Sequence, residues 1–332
     1  MFVDREEAVE IFKTCFDDKL MSSYLHPHYV WADSQREEGL SPLVFVFRKD
    51  KNVLYYAFHL SQVPEQDFFD IQSPYGYGGP ISNTQDMDFL RHAWDSFHHW
   101  CEKSSILAEF VRFHPLIANN RFFSGDICYD RNTVWIDTSK ADPLSSYTTR
   151  ARTAIRKAKK NGLVTEWWPR EEFLPVFQKL YHDHMQALGA DRYYFFPERY
   201  FQSLTDWEHA RLAVCSFEKD IVGAAIFLDG PIQMEYHLSA TTALGRTLCA
   251  TNLMIHEAVL MAREAGHHML HLGGGTDKDP NNPLLHFKLS FSSLMAKFCT
   301  GKRIHLPDQY QSLKKMWEKN NDRIANRVLF YR

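Results

Sequence analysis

The chain has 332 residues, of which 45% are hydrophobic and 14% aromatic, enough apolar side chains to build the cores of two ordinary domains. A formal net charge of −3 excludes the overall basic excess that is typical of general nucleic-acid-binding proteins. The six cysteines are scattered without a CxxC pair, which favours free thiols in a reducing compartment over a disulfide framework or a zinc site.

The first half of the chain contains strand signals and one helical stretch. The runs PLVFVFRK (42–49), VLYYAFHL (53–60), ILAEFVRFH (106–114) and TVWID (133–137) are bounded by turn residues. Because they are rich in β-branched and aromatic residues, they predict strands. Residues 85–103 predict a helix between the second and third of these strands.

A polar segment at residues 142–160 leads into a basic helix that Gly162 ends. The helix carries six basic side chains and no acidic one, namely Arg150, Arg152, Arg156, Lys157, Lys159 and Lys160. Arg152 and Arg156 lie one turn apart on one face, which suits the clamping of a diphosphate or contact with a nucleic-acid backbone. A solvated helix face explains the same charge run without any ligand.

The second half begins with a predicted helix and three predicted strands. The helical region covers residues 171–188. The runs ARLAVCSFE (210–218), IVGAAIFLD (221–229) and IQMEYHLSA (232–240) follow it, with short turns between them. This pattern predicts three antiparallel strands joined as hairpins.

A buried helix and another strand come next. Residues 251–266 predict a helix that is apolar almost all the way round, with Thr251 as its N-cap and Gly266 at its C-terminal end. The run HMLHLGG (268–274) predicts a buried strand directly after it. A polar helix is predicted from Gln309 onward.

Two parts of the chain repeat one plan, an aromatic strand, an irregular loop, a helix and a buried strand. The copies lie about 160 residues apart and share negligible sequence identity, so the match is one of pattern. The repeat predicts two similar α/β domains, at residues 1–145 and 146–305, and a C-terminal helical tail at residues 306–332.

An ordered set of short motifs resembles the FemAB-like branch of the GNAT acyltransferase superfamily over residues 20–305. The motifs are YGYGGP (75–80), VRFHP (111–115), TRARTAIRKAKKNG (149–162), YHLSAT (236–241), LHLGGG (270–275) and HFKLSF (286–291). Each motif alone is weakly specific, and the order of the set carries the resemblance. The resemblance implies an α/β fold with mixed sheets, in which two tandem GNAT-like domains enclose a cleft.

The resemblance also implies a function. The family passes an acyl or aminoacyl group, from CoA or from aminoacyl-tRNA, to an amine of a cell-envelope precursor, in peptidoglycan or polysaccharide synthesis. For this chain it implies an acyltransferase without a permanently bound cofactor. Two alternatives stay open, a CoA-dependent N-acyltransferase of an amino sugar and a degenerate GNAT protein that binds a ligand without catalysis.

Three residues are candidates for the transfer chemistry. Acyl transfer to an amine needs a base for the amine's proton and donors for the tetrahedral oxyanion. Glu235 and His237 alternate along a predicted strand, so they point to one face and either can be the base. Satisfied polar groups on a half-exposed strand explain both residues without a catalytic role. Lys288 has an apolar setting and matches the family's Phe-Lys dipeptide, which suggests that it is directed toward an anionic ligand.

The donor is predicted to lie along a helix start and a glycine-rich strand end. The stretch GRTLCATN (245–252) stands where the superfamily has its glycine-bearing pyrophosphate loop, but Cys249 and Thr251 replace small residues there. This departure moves weight from CoA toward an aminoacyl-tRNA donor. The three glycines of LGGG lack a GxGxxG or GK[ST] pattern, so we interpret them as a bare wall of the acyl channel. The predicted donor-binding residues are Arg246, Thr251, Asn252, Gly273, Gly274 and Gly275.

The acceptor is predicted to meet aromatic and basic side chains. Tyr75 and Tyr77 alternate in a glycine-rich loop, where a ring can stack on a sugar or peptide, although packed tyrosines in a tight turn are an equal alternative. The resemblance places Arg152 and Arg156 at the acceptor's phosphates, and Phe287 beside Lys288. The expected partners are a small-molecule or lipid-linked envelope precursor and, as an option, aminoacyl-tRNA.

Metal binding and membrane insertion are not expected. The seventeen histidines include adjacent pairs and pairs one residue apart, but none has the helical i, i+4 spacing or the accompanying cysteines of a zinc site. The N-terminal stretch MFVDREEAVEIF is acidic and amphipathic, and no run reaches about 18 uncharged apolar residues. We therefore expect a cytoplasmic protein, with action at the inner face of the membrane left open.

Overall fold

The computed structural model describes residues 1–332. The strands are β1 (Phe2–Val3), β2 (Ser41–Lys49), β3 (Asn52–Gln62), β4 (Phe69–Gln72), β5 (Ile81–Ser82), β6 (Ile106–Arg112), β7 (Asp126–Asp137), β8 (Leu163–Trp167), β9 (Ala210–Phe217), β10 (Asp220–Asp229), β11 (Gln233–Thr241), β12 (Met269–Gly274) and β13 (Met295–Ile304). The α-helices are α1 (Arg5–Cys15), α2 (Pro27–Ser34), α3 (Met87–Lys103), α4 (Thr149–Lys160), α5 (Arg170–Ala187), α6 (Glu198–Thr205), α7 (Ala243–Leu248), α8 (Ala250–Glu264), α9 (Pro283–Leu289) and α10 (Pro307–Asn321).

The chain divides into two compact units. Unit 1 comprises Met1–Asp130 and Lys297–Arg332, and unit 2 comprises Arg131–Ala296. The chain passes between the units after Asp130 and after Ala296, whereas the sequence predicted domain boundaries after residues 145 and 305. The C-terminal tail belongs to unit 1, since Tyr310 and Leu313 of α10 pack into a core cluster with Leu107 of β6.

Unit 1 is built on a mixed sheet with the strand order β1-β2-β3-β4-β6-β13, and β5 pairs with β3. Its pairs are antiparallel except β4 with β6, which is parallel. A parallel pair needs a crossover connection, and α3 supplies it. Asp86 caps the start of α3, and Phe89, Trp94 and Phe97 on its inner face pack against the aromatic side chains of the sheet.

In unit 2 the strand order is β7-β12-β11-β10-β9-β8, again with antiparallel and parallel pairs. The strands β9, β10 and β11 form consecutive antiparallel pairs, as predicted, and β11 with β12 is the parallel pair. The buried helix α8 makes the crossover between β11 and β12, and its apolar residues lie in the main core cluster of the unit. Gly266, with a φ of +81°, follows its C-terminal end as predicted.

The start of α8 differs from the prediction. The N-cap is Cys249, not Thr251, and Cys249 has a left-handed backbone (φ 66°) without a side-chain capping hydrogen bond. The reason is α7, which ends at Leu248 and leaves a single residue to turn the chain into α8. This turn cannot be foreseen from the composition of the stretch, because a non-glycine residue with positive φ is uncommon.

The two units repeat one arrangement. Each has antiparallel strands that lead to one parallel pair and a helix that connects the two parallel strands. A further strand pairs antiparallel with the second strand of the parallel pair. This further strand is β13 in unit 1 and β7 in unit 2. This repeat confirms the predicted α/β class with mixed sheets.

The assignment of the tail to unit 1 predicts a stability difference on α10. Leu313 is only 9% exposed. Leu313→Ala should therefore leave a cavity and lower the free energy of unfolding by about 2 kcal/mol. Met316→Ala, on the same helix and 48% exposed, should change it by less than about 0.5 kcal/mol. Urea denaturation of both variants tests the difference, and equal values would contradict the packing of the tail.

Candidate active site

The parallel strands of unit 2 separate after a short pairing. Gln233 to Glu235 of β11 pair with Met269 to His271 of β12, and no pair follows. Just beyond, each strand has an irregularity against its other neighbour, since His237 of β11 is skipped in the register with β10 and Leu272 of β12 in the register with β7. Bulges bend a strand and redirect its backbone groups. The backbone beyond Glu235 and His271 therefore diverges into an opening, which we call the split.

A carboxylate and an imidazole mark the base of the split. Glu235 and His271 are register partners, each 1% exposed, and a glutamate oxygen, Oε2, lies 2.8 Å from the histidine Nδ1. A carboxylate at this distance fixes the orientation and tautomer of the imidazole. The sequence analysis named Glu235 but missed His271, because their contact depends on the register of two strands that are far apart in the chain.

His237 has its own partner. The half-buried ring lies at the bulge of β11, and its Nε2 is 2.8 Å from the hydroxyl of Tyr200 on α6. Of the two predicted residues, Glu235 thus contacts β12 and His237 contacts α6. Tyr200 is fully buried, and no pattern in the sequence pointed to it.

Lys288 lies beside the end of β12, the second strand of the split. It projects from α9, is 8% exposed, and its Nζ donates a 2.8 Å hydrogen bond to the carbonyl of Gly274 at the end of β12. Burial lowers the pKa of the Lys288 ammonium to about 7, because an apolar environment disfavours the charged form. The amine therefore exchanges its proton near neutral pH.

Two of the three glycines, Gly273 and Gly275, have a structural reason for lacking a side chain. Gly273 has a φ of 76°, which favours glycine. A Cβ on Gly275 would lie 2.6 Å from the Oδ1 atom of Asn282. The carbonyl of Gly275 accepts a 2.9 Å hydrogen bond from Arg131. One face of the glycine run is thus covered by the chain itself, whereas the sequence analysis interpreted the run as a bare wall.

The predicted donor residues lie around the start of α8. Thr251 and Asn252 are half-buried in its first turn, where the helix has no side-chain cap. Arg246, on the exposed side of α7, reaches toward the Thr241 carbonyl at 3.4 Å and lies near the His184 ring. An uncapped helix start offers N–H groups to an anion.

The predicted acceptor residues of unit 2 have different environments. Arg152 donates to the Tyr147 carbonyl (2.8 Å) and the Thr149 hydroxyl (3.2 Å), so its guanidinium lies at the start of α4. Arg156, one turn further, is exposed. Phe287 is half-buried and packs edge-on against Phe291.

The tyrosine loop belongs to unit 1 and is tightly packed. Tyr77 is surrounded by the rings of Tyr24, His114 and Phe298 at centroid distances of 5.2 to 5.5 Å. The backbone of Tyr75 is held at both ends, because its N–H donates to Asp33 and its carbonyl accepts from the Tyr29 hydroxyl. Both tyrosines are half-buried, in agreement with the packing alternative of the sequence analysis.

The parallel pair of unit 1 does not open as that of unit 2 does. After Gln72 the loop continues to bond to β6 and its extension, with the Ser73 N–H donating to the Phe110 carbonyl at 3.1 Å and the Gly78 N–H to the Arg112 carbonyl at 2.7 Å. The glycine-rich loop thus occupies the place where the strands of unit 1 would part. Unit 2 carries the open split.

Several solved structures share the fold of this chain over nearly its whole length. FemX has a TM-score of 0.70 at 17% sequence identity, covering 94% of this chain and 99% of its own. The chain has the fold of FemX. The C-terminal domain of a putative lysylphosphatidylglycerol synthetase from Agrobacterium fabrum has a TM-score of 0.60 at 13% identity, with coverages of 90% and 92%. L-PGS from Bacillus licheniformis has a TM-score of 0.58 at 14% identity, with coverages of 88% and 91%.

These likenesses confirm the FemAB-like fold that the ordered motifs predicted. Neither a protein-family model nor a curated protein sequence matches the chain. None of its helices combines the length and the apolar character that a membrane crossing requires.

The lowered pKa of Lys288 predicts a pH-dependent gain in stability for Lys288→Met. Below pH 7 both the folded and unfolded chains bind the proton, so the folded state bears the full cost of a buried ammonium. The variant should be about 2–4 kcal/mol more stable at pH 6, and the gain should shrink as pH rises from 7 toward 10.5, where the unfolded chain also loses the proton.

Urea denaturation at pH 6 and pH 9 measures this trend. Lys219→Met is the matched control, because Lys219 is exposed in the turn between β9 and β10 and should change stability little at either pH. A Lys288→Met variant that is equally destabilised at both pH values would contradict a buried, readily deprotonated amine.

Proposed function

We propose that the chain is an N-acyl or aminoacyl transferase that modifies an amine of a cell-envelope precursor. The observation that carries the proposal is the open split of unit 2, with Glu235 and His271 at its base and Lys288 beside it. The fold of FemX and of a putative lysylphosphatidylglycerol synthetase supports a transfer reaction of this class.

The reaction forms a C–N bond between the acceptor amine and the donor carbonyl and breaks the donor's C–O ester or C–S thioester bond. Neutral Lys288 suits the uptake of the proton that the attacking amine releases, since its pKa lies near the working pH. A backbone N–H at the diverging strand ends would stabilise the tetrahedral oxyanion. The leaving oxygen or sulfur then receives the proton.

Glu235 and His271 would hold the strand ends in place and supply a second titratable pair beside the reacting carbonyl. The 2.8 Å contact between them joins β11 to β12 at the last point where the strands pair. Replacement of either partner would leave the other buried without its counterpart, which costs stability as well as orientation.

The donor we favour is an aminoacyl-tRNA. Cys249 brings a side chain to the tight turn before α8 where a glycine would let a pyrophosphate approach. Lys157 of α4 donates to the Thr247 carbonyl of α7, so the basic helix runs beside this turn. A positive helix beside the donor site suits a nucleic-acid backbone. Arg156, on the exposed face of α4, is our candidate for the phosphates of a nucleotide-linked or lipid-linked acceptor.

A CoA thioester is the second candidate donor. The start of α8 has no side-chain cap, and its free N–H groups with Thr251 and Asn252 suit a pyrophosphate. Arg246 would add a positive charge on the neighbouring turn.

Thermal-shift titration separates the two donors. We expect aminoacyl-tRNA to raise the melting temperature of the protein and acetyl-CoA or longer acyl-CoAs to leave it unchanged, since a ligand that binds only the folded state stabilises it. Lys157→Ala, on the basic helix beside the turn before α8, should reduce the shift with aminoacyl-tRNA, whereas the exposed control Lys219→Ala should retain it. Stabilisation by an acyl-CoA alone would reverse the donor assignment, and indifference to every donor would favour a non-catalytic ligand-binding protein.

Turnover should rise with pH through about 7, because only the neutral amine of Lys288 accepts a proton. Lys288→Met should reduce kcat about 100-fold or more, whereas Lys219→Met should retain it. Radiolabelled aminoacyl transfer to an amine-bearing envelope precursor, followed from pH 5.5 to pH 9, measures both effects. A pH profile that is flat across pH 7, or full activity of Lys288→Met, would remove this lysine from the mechanism.

A further inference from the structure

The short helix α9 is tied at two points to the end of β12 and the loop that follows it. One is the hydrogen bond from Lys288 Nζ to the Gly274 carbonyl, at 2.8 Å. The other is Asn282, which precedes the first residue of α9 and donates from Nδ2 to the hydroxyl of Thr276 at 2.6 Å. The two ties lie at opposite ends of a helix of seven residues.

Asn282 uses both ends of its amide. Its Oδ1 accepts hydrogen bonds from the N–H groups of Leu284 (3.0 Å) and Leu285 (3.2 Å), which caps α9. The side chain is 3% exposed and fills the space that a Cβ on Gly275 would need, at 2.6 Å. It therefore caps α9 with its oxygen and joins the start of α9 to Gly275 and Thr276, directly after β12, by one hydrogen bond and one close packing contact.

The position of Lys288 depends on such a tie. A seven-residue helix is marginal by itself, since few internal hydrogen bonds offset the cost of its first turn. The lysine's amine reaches the site on a long stem with several rotatable bonds, so a small shift of α9 moves Nζ out of reach of the Gly274 carbonyl. No acidic side chain forms an ion pair with Lys288, so its contact to Gly274 is set by where the helix lies.

We propose that Asn282 is a positioning residue for Lys288, acting through its hydrogen bond to Thr276 to fix α9 against the glycine-rich end of β12. The catalytic consequence of this role rests on the proposed transferase function, whereas the position and proton affinity of Lys288 do not. Asn282 is thus distinct from the capping asparagines of ordinary helices, because its donor group bonds the loop that directly follows β12.

The test removes the tie from each side without removing the cap. Asn282→Ser keeps a side-chain oxygen for capping and loses the donor to Thr276. Thr276→Val removes the acceptor hydroxyl at nearly constant shape, and Thr276→Ser restores it. Asn281→Ser is the matched control, because Asn281 is exposed and adjacent in the chain.

Two measurements are made on each variant. The first is the pKa of Lys288, obtained by NMR from the pH dependence of its 13C-methylated amine, with Lys288→Met used to assign the signal. The second is kcat and KM for aminoacyl transfer. We expect Asn282→Ser and Thr276→Val each to raise the Lys288 pKa toward 10.5 and to lower kcat about 10- to 100-fold, with the double variant no worse than either single one. Thr276→Ser and Asn281→Ser should match the wild type.

The outcomes separate the proposal from the proposed function. If Asn282→Ser and Thr276→Val lower the melting temperature but leave both the Lys288 pKa and kcat unchanged, Asn282 is only a helix cap and the proposal is wrong. If the wild-type chain transfers no acyl group, the proposed function fails. The Lys288 pKa of the variants then still decides whether Asn282 positions the amine.

Discussion

The separation of two parallel strands is the constraint on which the candidate site depends. Parallel strands normally continue their hydrogen-bond ladder and are buried on both faces, yet β11 and β12 pair over three positions only. Bulges at His237 and Leu272 turn both backbones away from each other. The contact between Glu235 and His271 lies at the last position where these two strands pair, so it marks where the opening begins.

The same strand plan gives the two units different properties. In unit 1 the glycine-rich loop continues to bond to β6 and its extension, and the rings around Tyr77 fill the space beside it. In unit 2 the chain after β12 turns into α9, which brings a buried lysine against the strand end. One arrangement thus gives a closed, aromatic core and the other an opening with titratable groups. Loop content, rather than the order of strands, sets this difference.

The sequence predicted what depends on local pattern. Strand-forming runs separated by short turns located β9, β10 and β11, and the apolar character of residues 251–266 almost all the way round located α8. Contacts between distant segments were not accessible, and for this reason His271 was missed as the partner of Glu235 and Asn282 as the neighbour of Gly275. The left-handed backbone of Cys249 displaced the predicted cap at Thr251. The unit boundaries also differ from the predicted ones, because the chain supplies β13 and α10 to unit 1 after it has completed unit 2.

We propose above that acyl transfer takes place at the split of unit 2. Hydrogen–deuterium exchange of the protein with and without a non-hydrolysable aminoacyl-RNA tests this claim most directly, since amides that a ligand covers exchange more slowly. The account predicts new protection at the diverging backbone, in residues 236–238 and 272–275, with little change at the tyrosine loop in residues 73–80. Protection confined to unit 1, with unchanged exchange at the ends of β11 and β12, would contradict it.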